Sequence, residues 1–212
     1  MALQAASLRP LAPGATWTYA GEYFGSPDFS VPYTDVVTHT GAPRGVTEAA
    51  SNQFATGPAS VVIALEGGHV IRPGGVDLDE DGTTDIVDPV LLRSPVREGD
   101  QIVYLDERTL TTADVDADGR MDSLDAAIFS RVIGRESVSL GADLGTVQAV
   151  RVDQTTLARM VLTTGSVWPT STTVVSTWYA EGVGVVRRTW HNSSDGQSVP
   201  FADERLSAVT GL

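Results

Sequence analysis

The sequence predicts a mainly β protein: a single antiparallel sheet, sandwich or half-barrel over residues 1–212, with little helix and two acidic loops inserted between strands. Three observations carry that expectation. From residue 61 onward, segments rich in Val, Thr, Ile and aromatic residues follow one another, the composition of pleated, half-buried strands. Several alternate apolar with polar, as in QIVYL and TVQAVRV. Glycine-bearing turns separate them at intervals of about ten residues.

In chain order the expected strands are VVIALEGG (61–68), QIVYLDERTL (101–110), ESVSLGAD (136–143), TVQAVRVDQTT (146–156), LARMVLTT (157–164), TTVVSTWYA (172–180) and VGVVRRTWH (183–191). The turns between them fall at Gly67-Gly68, Gly99-Asp100, Gly141 to Gly145, Gly182 and Asp195-Gly196. The best helical candidate is SLDAAIFSRVIG (123–134). There Leu124, Ala127, Ile128 and Val132 fall on one helical face, although a strand beginning near Arg131 competes with it.

An apolar content of 42% suits a folded chain of 212 residues. A net charge of −13 excludes an obvious nucleic-acid binder, because phosphate backbones repel such a surface. No run of eighteen uncharged apolar residues is present, so no transmembrane segment is expected. The absence of cysteine rules out disulfides, thiolate metal sites and cysteine nucleophiles. The opening stretch MALQAASLRPLAPG lacks the long apolar core of a signal peptide, so a leader is expected to be missing from this sequence.

The acidic residues are concentrated in a phrase written twice, DLDEDGTTDIVD (77–88) and DVDADGRMDSLD (114–125). Both copies carry Asp at positions 1, 3, 5, 9 and 12 and Gly at 6. Short carboxylates at alternate positions of a tight loop converge on one centre. Glycine permits the sharp turn, and the carbonyl at position 7 adds an oxygen, which together make the shell of a hard cation. The first loop offers Asp77, Asp79, Asp81, Thr83 through its carbonyl, Asp85 and Asp88. The second offers Asp114, Asp116, Asp118, Arg120 through its carbonyl, Asp122 and Asp125. Two Ca²⁺ ions are expected. Aspartate at position 12, where tight sensors place glutamate, predicts micromolar to millimolar affinity and a location outside the cytoplasm.

The second loop with its continuation, DVDADGRMDSLDAAIFSRVIG, resembles a dockerin repeat, a calcium loop of EF-hand type followed by one helix. The first loop departs from that pattern because Pro89 follows Asp88 directly and Pro95 comes soon after. EF-hand-like loops without their helices suit it better. A second resemblance runs through LRPLAPGATWTYAGEY, LLRSPVREGDQIVY and TWYAEGVGVVRRT, by way of Trp17, Tyr19, Gly99, Trp178, Tyr179, Gly182, Gly184 and Val186. These segments are similar to those of uncharacterised bacterial secreted β-rich proteins and lipoproteins. That resemblance implies an extracytoplasmic protein with no agreed activity.

No catalytic constellation stands out. His39, His69 and His191 sit in no ligand spacing, and neither a nucleophile elbow nor a phosphate loop is present. Trp17, Tyr19, Trp178, Tyr179 and Trp190 read as core aromatics, and Arg187-Arg188 as neighbours on opposite faces of a strand. The expectation is therefore a non-enzymatic calcium-binding protein that is secreted, periplasmic or at the cell surface. Three alternatives stay open: a calcium-dependent module for an extracellular protein or polysaccharide partner, a carrier, and a hydrolase with structural calcium.

Overall fold

The computed structural model describes residues 3–26, 29–54, 59–78, 82–111, 114–140, 144–194 and 197–212. Among them a short helix, α1 (Ala5–Leu8), precedes twelve strands. These are β1 (Thr16–Ser26), β2 (Phe29–Ala42), β3 (Gly45–Asn52), β4 (Ala59–Glu66), β5 (His69–Ile71), β6 (Val90–Leu92), β7 (Gln101–Thr111), β8 (Ser123–Ser139), β9 (Thr146–Val161), β10 (Ser171–Ala180), β11 (Gly184–Ser194) and β12 (Gln197–Thr210). They form one antiparallel sheet, almost closed into a barrel, in the order β6-β5-β4-β3-β2-β1-β12-β11-β10-β9-β8-β7. Every pairing joins strands consecutive in the chain except β1 with β12, which brings Thr16 opposite Thr210 and so ties the two ends of the chain together.

The order leaves one seam, between β6 and β7. Side chains cross it. The Tyr104 hydroxyl on β7 donates to the Val90 carbonyl of β6 at 3.0 Å. Up-and-down connectivity also sorts the connections between two ends. Both acidic loops, between β5 and β6 and between β7 and β8, share one end with the β1–β2, β3–β4, β9–β10 and β11–β12 connections.

The other end is sealed by the N-terminal segment. Ala5 and Leu8 of α1 are buried in an apolar cluster with Val46, Ile63, Val70 and Leu92. The amide of Gly182 in the β10–β11 turn donates to the Ser7 carbonyl at 2.7 Å, and Leu3 bridges to Val96 in the β6–β7 connection.

The expected strands are present with adjusted limits. Segments 146–156 and 157–164 merge into the single strand β9. Parts of the Gly141–Gly145 and Asp195-Gly196 turns lie outside the described residues. One expectation fails: 123–134 is strand, not helix. It forms the first part of β8, paired with β7 on one side and β9 on the other. Within it Ala126, Ile128, Ser130 and Val132 are buried, which is a period of two. The apolar set Leu124, Ile128 and Val132 satisfies both periods, and two flanking strands decide in favour of pairing.

Three of the aromatic and glycine marks, Trp17, Tyr19 and Gly184, meet in the interior. Trp17 Nε1 donates to the Val183 carbonyl at 2.7 Å, and the Tyr19 hydroxyl donates to the Val185 carbonyl at 3.1 Å. A Cβ built on Gly184 would stand 3.5 Å from Trp17 Nε1. β1 and β11 are not sheet neighbours, so these contacts run beneath β12 and fix the barrel's curvature.

Candidate metal centre and barrel lumen

The two acidic loops share one hydrogen-bond frame. In the first, Asp77 at position 1 accepts from the Gly82 amide at position 6, at 2.9 Å. In the second, Asp114 accepts from the Gly119 amide at 2.8 Å. The position 9 carboxylate accepts from the position 2 amide in both, Asp85 from Leu78 at 2.8 Å and Asp122 from Val115 at 2.7 Å. Gly82 and Gly119 carry φ of +87° and +85°, the left-handed turn that position 6 requires.

In the second loop the carboxylates converge. Asp114, Asp116 and Asp122 each offer an oxygen within 4.8 Å of the others. Oxygens that share an ion at about 2.4 Å cannot lie farther apart than about 4.8 Å, so this donor set fits a calcium-sized hard cation. Asp122 is fully buried and also accepts from the Thr163 amide at 2.9 Å, which ties the loop to the β9–β10 connection. The amides of Val115, Thr163 and Asp116 lower its pKa, with the Val115 contact the strongest. The opposite holds for Asp116: desolvation, then the charges of Asp118, Asp122 and Asp114, push its carboxyl up. A raised acid among acids is a site with uncompensated negative charge.

The remaining predicted ligands are placed differently. The Asp118 carboxylate accepts from the Thr163 hydroxyl and the Arg120 amide, while its own amide donates to Asp114 at 3.0 Å. Arg120 and Thr83, the position 7 residues, are exposed. Asp125 stands in β8 as a cross-strand staple, accepting from Thr109 on β7 and from Arg159 on β9, both at 2.6 Å. In the first loop Asp85 forms an ion pair with Arg108 of β7 at 3.0 Å, and Asp88 accepts from the Gly74 amide at 2.7 Å. Asp79 and Asp81 lie outside the described residues.

The first loop also folds over the seam. Val76 and Ile86 bridge to each other and pack with Leu105, Leu110, Ala126 and Ile128 of β7 and β8. With the Arg108–Asp85 pair, this places loop one, the seam and the root of loop two in a single contiguous cluster.

Residues 75–134 match the dockerin type I domain. Dockerin domains bind calcium and a cohesin protein partner. The matched span contains no helix among its described residues, so its loops are of dockerin type on a β scaffold. Two solved structures share the fold over the whole chain. One is described as a lipoprotein on provisional grounds, from Parabacteroides distasonis ATCC 8503, with a TM-score of 0.54 and 16% identity, covering 99% of this chain and 100% of its own. The other is provisionally described as an exported protein with a YmcC-like fold, from Bacteroides fragilis NCTC 9343, with a TM-score of 0.52 and 15% identity over 99% and 100%. No curated protein matches the chain.

Sequence reasoning held a cavity only as the carrier alternative and placed none of the lumen's charged residues in it. Two adjoining cavities, about 230 and 590 Å³, share Arg188 and Trp190 in their walls. In the smaller, Arg9 grips Glu48 with two 2.8 Å contacts, and His39 Nε2 lies 3.0 Å from the same carboxylate. Burial alone would raise the Glu48 pKa. The Arg9 charge and the hydrogen bonds from His39 and Arg9 outweigh it and hold the carboxyl well below the usual range. Arg188 turns inward over Tyr19, so of the two adjacent arginines only Arg187 keeps the outer ion pair, with Asp203 at 2.8 Å. The described residues include no helix long and apolar enough to cross a membrane.

Proposed function

We propose that this chain is a non-enzymatic, extracytoplasmic calcium-binding barrel of one domain, in which two dockerin-type loops each take one Ca²⁺ and close the β6–β7 seam. The observation that carries this reading is the convergence of Asp114, Asp116 and Asp122 within 4.8 Å, on a frame repeated in the first loop. Asp114, Asp116 and Asp122 would hold one ion, and Asp77 and Asp85 would contribute to the other. The ion supplies positive charge that lets acidic loops pack. The chain supplies the contacts of Ile86 and of Asp85 with Arg108, which hold the first loop down on β7 and β8, beside the Tyr104–Val90 hydrogen bond across the seam. The dockerin match and the fold shared with a lipoprotein and an exported protein support a location outside the cytoplasm.

A second reading, a calcium-dependent interaction module, is favoured by exposed apolar side chains around the loops: Val87, Val115, Met121 and Trp168. The helix face that dockerins offer a partner is replaced here by a strand paired on both edges. Any partner would therefore read the loop rim itself.

Calorimetric titration of calcium into chelator-treated protein tests the proposal. Two sites in the micromolar to millimolar range are expected, and Asp116→Ala should remove one of them. A protein that takes up no calcium, or an Asp116→Ala variant that still binds two ions with unchanged affinity, refutes it.

A further inference from the structure

Among the described residues, three buried side-chain atoms lack a hydrogen-bond partner: His39 Nδ1, Arg188 Nε and Glu204 Oε1. All three belong to residues that line the lumen. Buried polar atoms are nearly always satisfied by protein, water or ligand, so such a cluster marks a place where something else is accommodated. Arg188 Nε and Glu204 Oε1 stand 2.7 Å apart as an ion pair, and the other Glu204 oxygen accepts from the Tyr33 hydroxyl at 3.1 Å.

We propose that the larger cavity binds a small molecule bearing a protonated amine on an apolar, ring-containing body. Charge selects the amine. Asp35 and Glu204, 5% and 2% exposed, face a single guanidinium, that of Arg188, while Arg9 and Glu48 below already neutralise each other. Asp35 lies 3.4 Å from the Asn52 amide and 3.8 Å from the Arg188 guanidinium, so it shares with Glu204 the one cation at this level of the lumen. Burial pushes the Glu204 carboxyl up; the Arg188 charge opposes this, and the Asp35 charge adds to it.

The walls select the apolar body. Tyr23, Tyr33, Phe54 and Phe201 form an aromatic ring at the mouth, with Tyr23 and Phe201 edge to face at 4.8 Å and Tyr33 and Phe54 at 5.8 Å. Aromatic faces above a carboxylate floor attract cations twice over. A volume of about 590 Å³ suits a drug-sized molecule. Since α1 seals the far end, entry is from the end that carries the acidic loops. An anion clamp at Arg187-Arg188 does not fit, because the acids outnumber the one inward arginine.

Three probes with one fluorophore test this: dansylcadaverine (cationic), dansylamide (neutral) and dansylglycine (anionic), titrated into the calcium-loaded protein. Dansylcadaverine should bind about tenfold or more tighter than dansylamide, with dansylglycine weakest. Glu204→Gln should abolish the preference. If that variant fails to fold, Phe54→Ala on the exposed rim should still weaken dansylcadaverine several-fold. Equal binding of the three probes, a preference for dansylglycine, no binding by any of them, or full affinity in Phe54→Ala overturns the proposal.

Discussion

Gly82 and Gly119 occupy position 6 of the two loops in the left-handed region, and a Cβ added to either meets nothing within 4 Å. Alanine there would be strained by its backbone alone, at roughly 1–2 kcal/mol. Gly119→Ala should therefore lower stability by about 1 kcal/mol in urea denaturation and weaken calcium binding. Unchanged stability would show that the turn is not held in this conformation. Asp122 and Asp125 make a sharper pair. Both were legible in the sequence as positions 9 and 12 of one loop, yet only Asp122 joins Asp114 and Asp116, while Asp125 is held by Thr109 and Arg159. Loop spacing records which acids are close along the chain, but not which strand partners compete for them. Asp122→Ala should cost far more calcium affinity than Asp125→Ala, as measured by calorimetry. The reverse order would return Asp125 to the ion's shell.

Strand β8 shows where the sequence stops being sufficient. Leu124, Ala127, Ile128 and Val132 fit a helical face, whereas the buried set of Ala126, Ile128, Ser130 and Val132 alternates. Ser130 is the discriminating residue, a polar side chain in the buried row, and its hydroxyl lies 3.1 Å from the Tyr104 hydroxyl. No local signal announces that partner. Tyr104 also reaches across the seam to Val90, so Tyr104→Phe should cost about 1 kcal/mol in denaturant unfolding, the net worth of a hydrogen bond. A neutral substitution would mean that the seam is not held there. Strands β2 and β3 escaped composition because their inward residues include Asp35, His39 and Glu48. Polar residues belong inside this barrel, and a rule that seeks apolar alternation passes over them.

At the scale of the molecule, the fold class was readable from strand texture and turns. The lumen was not, because it exists only once β1 pairs with β12 and the N-terminal segment seals one end. The Arg9–Glu48 pair anchors that segment to β3. The folded pKa of Glu48 lies below its ordinary value of 4.5, so its contribution is complete above that pH and is lost as pH falls toward the depressed value. Glu48→Gln should therefore be less stable than the parent at neutral pH, and the gap should narrow below about pH 4. A gap that is constant with pH would remove the ion pair from the account. Calcium acts at the other end, where each ion should add about 2.7 kcal/mol at a free concentration one hundred times its dissociation constant. The central claim is that this stabilisation closes the β6–β7 seam. Amide hydrogen exchange with and without calcium tests it most directly. Calcium should slow exchange in residues 76–78, 85–92 and 101–111 as well as in 114–122, and leave the β1–β12 pairing unchanged. Protection confined to the acidic loops, or spread evenly over the barrel, would contradict it.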